Sequence, residues 1–421
     1  MAIAFSLAAA GDLHLGSSLA YLSQSQAGRL AQAQLEAFYS LCKYCARHKL
    51  DYLLLTGDIF DQIDPSPALL KSFQQGLALC PESLVIVVPG NHDPYFAGGL
   101  WDQIPETSQL HLVREPGECW QSPRHPLRIY ASPFLSQSAD QCLFEDFTPS
   151  LDPHYFNLLL LHGDLVKSGQ TSRYNPIPQA WLASSGLDLA ILGHHHQASE
   201  VISLAGQASA SYLYPGCLLG RGFDELGPKG FYAGQVMKRT SSQPDAASVQ
   251  LGLKFVQTPG PCFYRSDLRL DQLHLDADQD FHLQVAQALE EKVRSLSDHP
   301  DQDFFQLSLR GTRPARLDLA FLRQALSDQV FYLDLKDLSQ PVADWTRYSH
   351  EPSLRAQIAD LAQALLKSDR MDASSWQALF LDQDDALSRE LKGLVQLPQD
   401  QQQTLLRLAT DKLYAGLAEE G

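Results

Sequence analysis

Short apolar runs alternate with longer segments of helical periodicity in the first part of the chain. Residues 4–10, 52–55 and 84–88 are mostly apolar runs, a pattern that predicts buried strands. Between them, residues 24–48 and the segment from 67 toward 79 have the spacing of amphipathic helices. This alternation predicts parallel β-α-β units, and ligands of such sheets bind beyond the carboxyl ends of the strands.

The strand pattern continues beyond the first three runs. Residues 156–161 and 187–192 are further apolar runs, and shorter strands are predicted near 212–214, 230–237 and 251–256. Together with the helical segments, these strands predict an α/β fold with a β-sandwich core flanked by helices.

A break rich in proline and glycine near residue 260 separates this part from the rest of the chain. We therefore predict one domain over residues 1–260, a second, small α/β domain over 261–340, and a helical C-terminal region over 341–421. Apolar residues at helical spacing support the last assignment, among them Ile358, Leu361, Leu365, Leu406 and Leu413.

Clusters of Asp, Asn, His and Gly follow five of the apolar runs. They are Asp12-Leu13-His14, Gly57-Asp58, Gly90-Asn91-His92-Asp93, His162-Gly163-Asp164 and Gly193-His194-His195-His196. Carboxylates and imidazoles are ligands for Mn²⁺, Fe²⁺ or Zn²⁺, and two such ions can act together on a phosphate ester. His194 and His196 lie on the same side of an extended segment, so both can reach one centre. The clusters predict a site for two divalent metal ions.

The formal net charge of the 421-residue chain is −17, and the part after residue 260 is the more acidic. A negative net charge is the wrong sign for a protein that binds nucleic acid through its overall charge. Two divalent ions would reverse the sign locally at the predicted site.

The length of the apolar runs and the number of cysteines predict the cellular compartment of the protein. No apolar run has membrane-spanning length, so no membrane association is expected. The N-terminal run is interpreted as a buried strand; a signal peptide is the alternative, but cleavage would remove the strand that carries Asp12 and His14. Seven cysteines without a compact framework suit a reducing cytoplasm.

The five clusters, in this order, resemble the motifs of the calcineurin-like metallophosphoesterase superfamily. Two segments, Gly11–Gly16 and Gly57–Asp61, are similar to those of the SbcD-type DNA repair nucleases, although Asp61 stands where some relatives carry His. The segment 214–230 resembles the YhaO subgroup. The resemblance covers about residues 1–240 and implies a four-layer α-β-β-α sandwich, with the small α/β domain as a cap.

The resemblance also implies roles for the cluster residues. One metal ion would be held by Asp12, His14, Asp58 and His196, and the other by Asp58, Asn91, His162 and His194. Asp58 would bridge the ions. His92 would not bind metal but would contact the scissile phosphate and protonate or stabilise the leaving oxygen. Asp93, or another nearby acid, would orient His92; alternatively, Asp93 only turns the chain.

Other residues near the clusters have two interpretations each. Tyr95 could stack on a base, although core packing is the commoner fate of such a side chain. Arg221 and Lys229 could contact phosphate, or they could be solvated loop charges. His195 lies between two ligands and is expected to point away from the metals.

These features together predict a Mn²⁺-dependent phosphodiesterase that cuts DNA as a 3′-to-5′ exonuclease, with some single-strand endonuclease activity. The resemblance implies an SMC-like ATPase partner of the SbcC or YhaN type, which would supply DNA binding and dock on the C-terminal helices. A homodimer is a further expectation. The alternatives are a small-molecule phosphoesterase acting on nucleotides or phosphomonoesters, and a non-catalytic scaffold subunit of an ATPase complex.

Overall fold

The computed structural model describes residues 2–17, 22–105, 107–144, 151–204, 210–239, 248–274 and 279–342. They form two compact units. One holds the residues up to Tyr264 together with Gln302–Phe304, and the other holds Arg265–Asp301 and the described residues from Phe305 onward. The predicted helical region at 341–421 lies almost entirely outside the described residues. Among the described residues, no helix combines the length and apolar character needed to cross a membrane.

The first unit has the mixed strands and helices of an α/β fold. Its helices are α1 (Gln24–His48), α2 (Pro67–Leu77) and α3 (Gln179–Ser184), and a 3-10 turn covers Trp101–Gln103. Its strands are β1 (Ala2–Ala10), β2 (Tyr52–Leu55), β3 (Leu84–Val87), β4 (Leu110–Leu112), β5 (Glu118–Gln121), β6 (Leu127–Ala131), β7 (Phe156–His162), β8 (Leu165–Val166), β9 (Ile177–Pro178), β10 (Leu189–Gly193), β11 (Ile202–Ser203), β12 (Ser211–Leu213), β13 (Gly230–Arg239) and β14 (Ser248–Gln257).

Most of these strands form two six-stranded sheets, in the orders β14-β13-β1-β2-β3-β4 and β11-β12-β10-β7-β6-β5. In the first sheet β1 to β4 run parallel. In the second, β6, β7, β10 and β12 run parallel. The other strands of these two sheets pair antiparallel, while β8 and β9 form a separate parallel pair. In each sheet, the parallel strands therefore end at one common edge.

One apolar core lies between the two sheets. It combines Phe5 and Leu54 of the first sheet with Leu158 and Ile191 of the second. The rings of Phe5 and Phe156 meet edge to face, with their centroids 5.3 Å apart. Full burial of an apolar side chain of this size contributes about 1.5–3 kcal/mol. This core thus holds the two sheets face to face.

The helices of the first unit pack through apolar faces. Helix α1 begins with a capping box, in which Ser23 and Gln26 satisfy each other's backbone N–H groups. Its Phe38 stacks on Phe73 of α2 at a centroid distance of 5.3 Å. Leu182 of α3 belongs to a second apolar cluster with Leu159 of β7. Since alternate residues of β7 lie in different clusters, α3 covers the face of the second sheet opposite the shared core.

The second unit is a small assembly of strands and two helices. Strands β15 (Phe263–Arg269), β16 (Phe304–Arg310) and β18 (Tyr332–Asp337) form a three-stranded sheet, while β17 (Thr312–Arg313) and β19 (Gln340–Pro341) form a separate parallel pair. Helices α4 (Phe281–Leu296) and α5 (Leu319–Leu326) contact each other, and α5 also contacts β18. Asp280 and Asp318 cap the two helices through their carboxylates.

Candidate metal centre

Five loops at the carboxyl ends of parallel strands bring their polar side chains to one place. They follow β1, β2 and β3 in the first sheet and β7 and β10 in the second. Asp12, His14, Asp58 and His194 have positive φ angles of 51°, 44°, 52° and 93°. Such angles are uncommon for residues other than glycine, and they cluster at functional sites. The loops therefore hold these four side chains in positions that ordinary turns would not give.

Two glycines allow the loops to approach each other closely. A Cβ atom on Gly90 would lie 2.2 Å from Oδ1 of Asp58, and one on Gly193 would lie 1.9 Å from the carbonyl oxygen of Thr56. Any larger residue at either position would push the loops apart.

The first group of potential metal ligands consists of Asp12, His14 and His196, whose donor atoms lie within 4.8 Å of one another. Nε2 of His14 is 3.1 Å from Nε2 of His196, and the latter is 3.7 Å from Oδ1 of Asp12. Asp12 and His14 are buried. The carboxylate of Asp12 also accepts the backbone N–H of His194, which ties the loop after β10 to the loop after β1.

The second group consists of Asp58, His162 and His194 and meets the same distance criterion. Nε2 of His162 is 3.4 Å from Oδ2 of Asp58 and 2.9 Å from Oδ1 of Asn91. The same Oδ2 atom is 3.8 Å from Nε2 of His14. Asp58 thus belongs to the second group but also lies near His14 of the first. A carboxylate that bridges two metal ions would need this position.

The hydrogen bonds of three histidines fix which nitrogen can bind a cation. Nδ1 of His14 is 2.9 Å from a carboxylate oxygen of Asp61, and Nδ1 of His196 is 2.6 Å from one of Glu225. Nδ1 of His162 is 2.8 Å from the carbonyl oxygen of Thr56. Because these oxygens only accept, each Nδ1 carries a proton, and Nε2 is the nitrogen that faces the centre and can bind a cation once it is deprotonated. Lone pairs and carboxylates that converge in this way fit two divalent cations.

The pKa shifts of the potential ligands indicate an excess of negative charge at the candidate centre. Burial favours the neutral imidazole of His162, but the nearby Asp58 carboxylate outweighs burial and raises the pKa of His162 to about 9. Burial likewise opposes ionisation of Asp58, yet His162 holds the pKa of Asp58 well below its usual range. Burial, assisted by the charge of His162, lowers the pKa of His194 to about 4. A centre that attracts a proton this strongly would also attract a metal cation.

His92 lies beside the two groups and faces solvent. Its side chain is 43% exposed, and its Nδ1 is 3.5 Å from Oδ1 of Asp61. The ring meets that of His14 edge to face at 4.8 Å. The backbone N–H of His92 donates to Oδ1 of Asp58 at 2.8 Å. This hydrogen bond fixes the His92 backbone next to the two groups of potential ligands. An exposed imidazole so close to the ligands can reach a bound phosphate ester.

Asp93 does not occupy the catalytic position predicted for it. The residue is completely buried, and its carboxylate accepts the backbone N–H groups of Asp58, Ile59, Phe60 and Gly90. Burial and the Asp58 carboxylate raise the pKa of Asp93 to about 7, while the N–H donors oppose that shift. Asp93 thus ties the loop after β2 to the loop after β3, and the acid next to the His92 ring is Asp61.

Arg221 is not the solvated loop charge of one interpretation. Its guanidinium donates to Asp61 at 3.1 Å and to Glu225 at 3.0 Å, and its contact with a phosphate stays a prediction. Glu225 is 6% exposed, and although burial opposes its ionisation, hydrogen bonding to His196 lowers the pKa of Glu225 to about 2. Arg221 therefore connects the two carboxylates that orient His14 and His196.

The remaining predicted residues have clear positions. Lys229 is buried rather than solvated, and its ammonium donates to Gln197 at 3.0 Å. The Tyr95 ring lies 5.8 Å from the guanidinium of Arg114, a contact within the first unit's loop region. His195 is half exposed, and its Nε2 is 2.9 Å from the Asp164 carboxylate rather than directed at the metal ligands.

Three residues near the centre were not predicted to act there. Asp61 and Glu225 orient ligand histidines, and Tyr174, which is 37% exposed, lies 4.6 Å from the His194 ring. Asp61 had a sequence signal, since it departs from the histidine of some relatives. Glu225 lies within the segment that resembles the YhaO subgroup, but nothing in its spacing indicates a contact with His196. Tyr174 carries no motif.

The comparison with known families and proteins agrees with this geometry. Residues 5–211 match the family model described as calcineurin-like phosphoesterase. The uncharacterized metallophosphoesterase YhaO of Bacillus subtilis (strain 168) is 29% identical over 233 residues, which cover 53% of this chain and 55% of that protein. The chain therefore spans about half the length of this curated relative.

Solved structures matched by this chain have low sequence identity to it. A dimetal phosphatase from Danio rerio is 13% identical, with 61% of this chain and 99% of that chain covered and a TM-score of 0.37. The protein TT1561 of Thermus thermophilus is 11% identical, with 54% and 93% covered and a TM-score of 0.33.

Proposed function

We propose that this chain, whose residues 5–211 match the calcineurin-like phosphoesterase family model, is a two-metal phosphodiesterase that cleaves DNA. The observation that carries the proposal is the convergence of Asp12, His14 and His196 with Asp58, His162 and His194, with Asp58 between the two groups. Asn91 adds an amide oxygen to the second group. Mn²⁺ is the proposed metal, and Fe²⁺ and Zn²⁺ suit the same oxygen and imidazole donors.

When bound, two divalent cations would polarise the phosphate and supply a hydroxide at neutral pH. The protein's own residues position the phosphate and transfer the proton. The ligand loops, fixed by Asp93 and by the shared core, hold the phosphate in one orientation next to His92. From its half-exposed position His92 donates a proton to the leaving oxygen, and Asp61 stabilises the protonated imidazole.

The choice of DNA rests on the sequence resemblance at Gly11–Gly16 and Gly57–Asp61. We propose 3′-to-5′ exonuclease action with some single-strand endonuclease activity. Because the net charge is −17, DNA binding would come from a partner, an SMC-like ATPase of the SbcC or YhaN type. The proposed architecture is the four-layer α-β-β-α sandwich with residues 261–340 as a cap. The helical region 341–421 would dock the ATPase, and a homodimer is compatible with this scheme.

A small-molecule phosphoesterase is the second candidate, and the net charge of −17 favours it if the protein acts without a partner. A purely structural role as an ATPase scaffold receives less support, since a scaffold needs no exposed His92 beside the ligands.

The experiment that tests the proposal compares substrates and one variant. The Mn²⁺-loaded protein is assayed on linear DNA and on p-nitrophenyl phosphate esters, alone and with an SMC-like ATPase. His92→Ala should reduce kcat on DNA by roughly 10²–10⁴-fold while calorimetry still finds two bound metal ions. His195→Ala, which removes an exposed neighbouring imidazole, is the matched control and should retain activity.

Three results would change the conclusion. A strong preference for small esters over DNA would favour the small-molecule enzyme. Native-rate cleavage by His92→Ala would disprove the role of His92. No hydrolysis of any ester, with a stable ATPase complex, would favour the scaffold.

A further inference from the structure

A pocket of about 220 Å³ adjoins the candidate metal centre. Its wall includes His196, Gln197, Lys229, Tyr232 and Phe255. His196 belongs both to this wall and to the first group of potential ligands, so the pocket and the candidate metal centre share this residue.

Lys229 is a buried cation without an anionic partner among the described residues. It is 5% exposed, and its Nζ donates to the neutral side-chain amide of Gln197 at 3.0 Å. The Lys229 carbonyl oxygen accepts from Thr258, which fixes the backbone at this point. Buried charges are normally paired because loss of hydration is costly. An anion in the pocket would supply the missing pair.

The other residues of the wall do not supply that anion. Burial raises the pKa of the Cys217 thiol well above its ordinary value, so the thiol stays neutral. Glu200 also lines the pocket, but it is exposed, and its charge is screened by water. The pocket wall thus contains a buried ammonium that no buried acid of the same wall compensates.

An aromatic surface lies in the same wall. Phe255 is 39% exposed, and its ring meets that of Tyr232 edge to face at 5.7 Å. Exposed aromatic rings are common stacking surfaces for the bases of single-stranded nucleic acids, and an ammonium beside them suits the phosphate.

We propose that this pocket binds a second phosphate of the substrate, one linkage from the scissile phosphate, with the attached nucleoside against Phe255. The proposal rests on the proposed function and specifies its substrate class as a nucleic acid strand with adjacent phosphates. It explains how an acidic protein can prefer a polyanionic strand to a single phosphate ester.

A double-mutant cycle between protein and substrate tests the contact. KM is measured for single-stranded oligonucleotides that carry either a phosphodiester or an uncharged methylphosphonate at the linkage next to the scissile one, on each side in turn. Lys229→Gln and the methylphosphonate should each raise KM about tenfold, the effect expected for a hydrogen bond between charged groups. Their combination should raise KM hardly further, because both remove the same contact.

A substrate comparison and two other variants serve as controls. The ratio of KM for the oligonucleotide to KM for bis(p-nitrophenyl) phosphate should rise about tenfold in Lys229→Gln. Lys254→Gln removes the same charge from an exposed position next to Phe255 and should change neither KM. Gln197→Glu places a carboxylate beside the ammonium without altering the buried lysine. It should raise the oligonucleotide KM even if Lys229→Gln fails to fold.

The outcomes separate the two proposals. Additive effects in the cycle, or equal KM increases for both substrates, would overturn the pocket. A wild-type protein that hydrolyses neither substrate would overturn the proposed function instead. Fluorescence anisotropy of the bound oligonucleotide then still tests the pocket, since Lys229→Gln should reduce the salt dependence of log K by about 0.7 per phosphate contact. An unchanged salt dependence would overturn it.

Discussion

The Nε2 atoms of His14 and His196 face each other at 3.1 Å, although the residues are 182 positions apart in the chain. Each ring donates its Nδ1 proton to a carboxylate, His14 to Asp61 and His196 to Glu225. With both Nδ1 atoms protonated, the two Nε2 atoms can lie this close only if a proton or a metal cation is held between them. The contact between these residues implies that the folded state gains stability when metal binds.

Metal binding should therefore raise the melting temperature. At a metal concentration one hundred times Kd, linkage predicts an increase of roughly 5–10 °C for a unit of this size. Thermal melts with Mn²⁺ and after chelation measure the shift. Asp58→Asn should lose most of it, because both groups lose the carboxylate between them, whereas Asp64→Asn, an exposed acid after β2, should keep it. Equal shifts in the two variants would contradict the placement of Asp58.

Metal binding should also release protons at neutral pH. Although burial opposes protonation, Asp58 raises the pKa of His162 to about 9, so the metal-free imidazole is charged at pH 7 and must lose its proton to bind metal. His194, with a pKa of about 4, is already neutral. Metal affinity should consequently rise with pH up to about 9.

Calorimetry in two buffers of different ionisation enthalpy measures this release. His162 should contribute about one proton per protein, and His196 a further fraction, because Glu225 raises its pKa against the effect of burial. Binding enthalpies that do not depend on the buffer would show that His162 is neutral before metal binds.

The sequence predicted the main elements where apolar runs were continuous. Residues 24–48 form α1 and residues 52–55 form β2, whose residues are all buried. The short strands β4 and β5 were not predicted, since they have only three and four residues and just one of these residues is buried. Short edge strands of this kind form because they pair with a neighbouring strand. A local sequence pattern does not reveal that pairing.

The candidate site was predictable to a similar extent. The seven candidate ligands carry their own chemistry in short motifs, and the structure brings them together. The contact between Arg221 and Asp61 joins residues 160 positions apart, so no local pattern could indicate it. Of the two interpretations of Asp93, the structure favours a role in the chain turn, because its carboxylate is directed into the loop backbone and adjacency to His92 does not determine where a side chain points.

Asp93→Asn should therefore destabilise the fold rather than alter chemistry directly. An amide would direct N–H groups at backbone N–H groups such as those of Ile59 and Phe60. Loss of hydrogen bonds to a buried carboxylate costs about 2 kcal/mol or more. Urea denaturation of the metal-free protein measures this free energy of unfolding. A variant of native stability that lost kcat would instead restore Asp93 to a catalytic role.

Glu225→Gln should weaken one metal site and leave the other intact. The carboxylate accepts the Nδ1 proton of His196, and replacing such a partner typically lowers metal affinity about 10–100-fold. Two-site calorimetric titration should show one weakened and one unchanged binding event, because His162 is oriented by the Thr56 carbonyl rather than by Glu225. Glu118→Gln is the matched control, since Glu118 forms an equally short contact of 2.6 Å with His111, outside the ligand groups. If both sites weakened equally, the two groups would share His196, and their division into separate centres would be wrong.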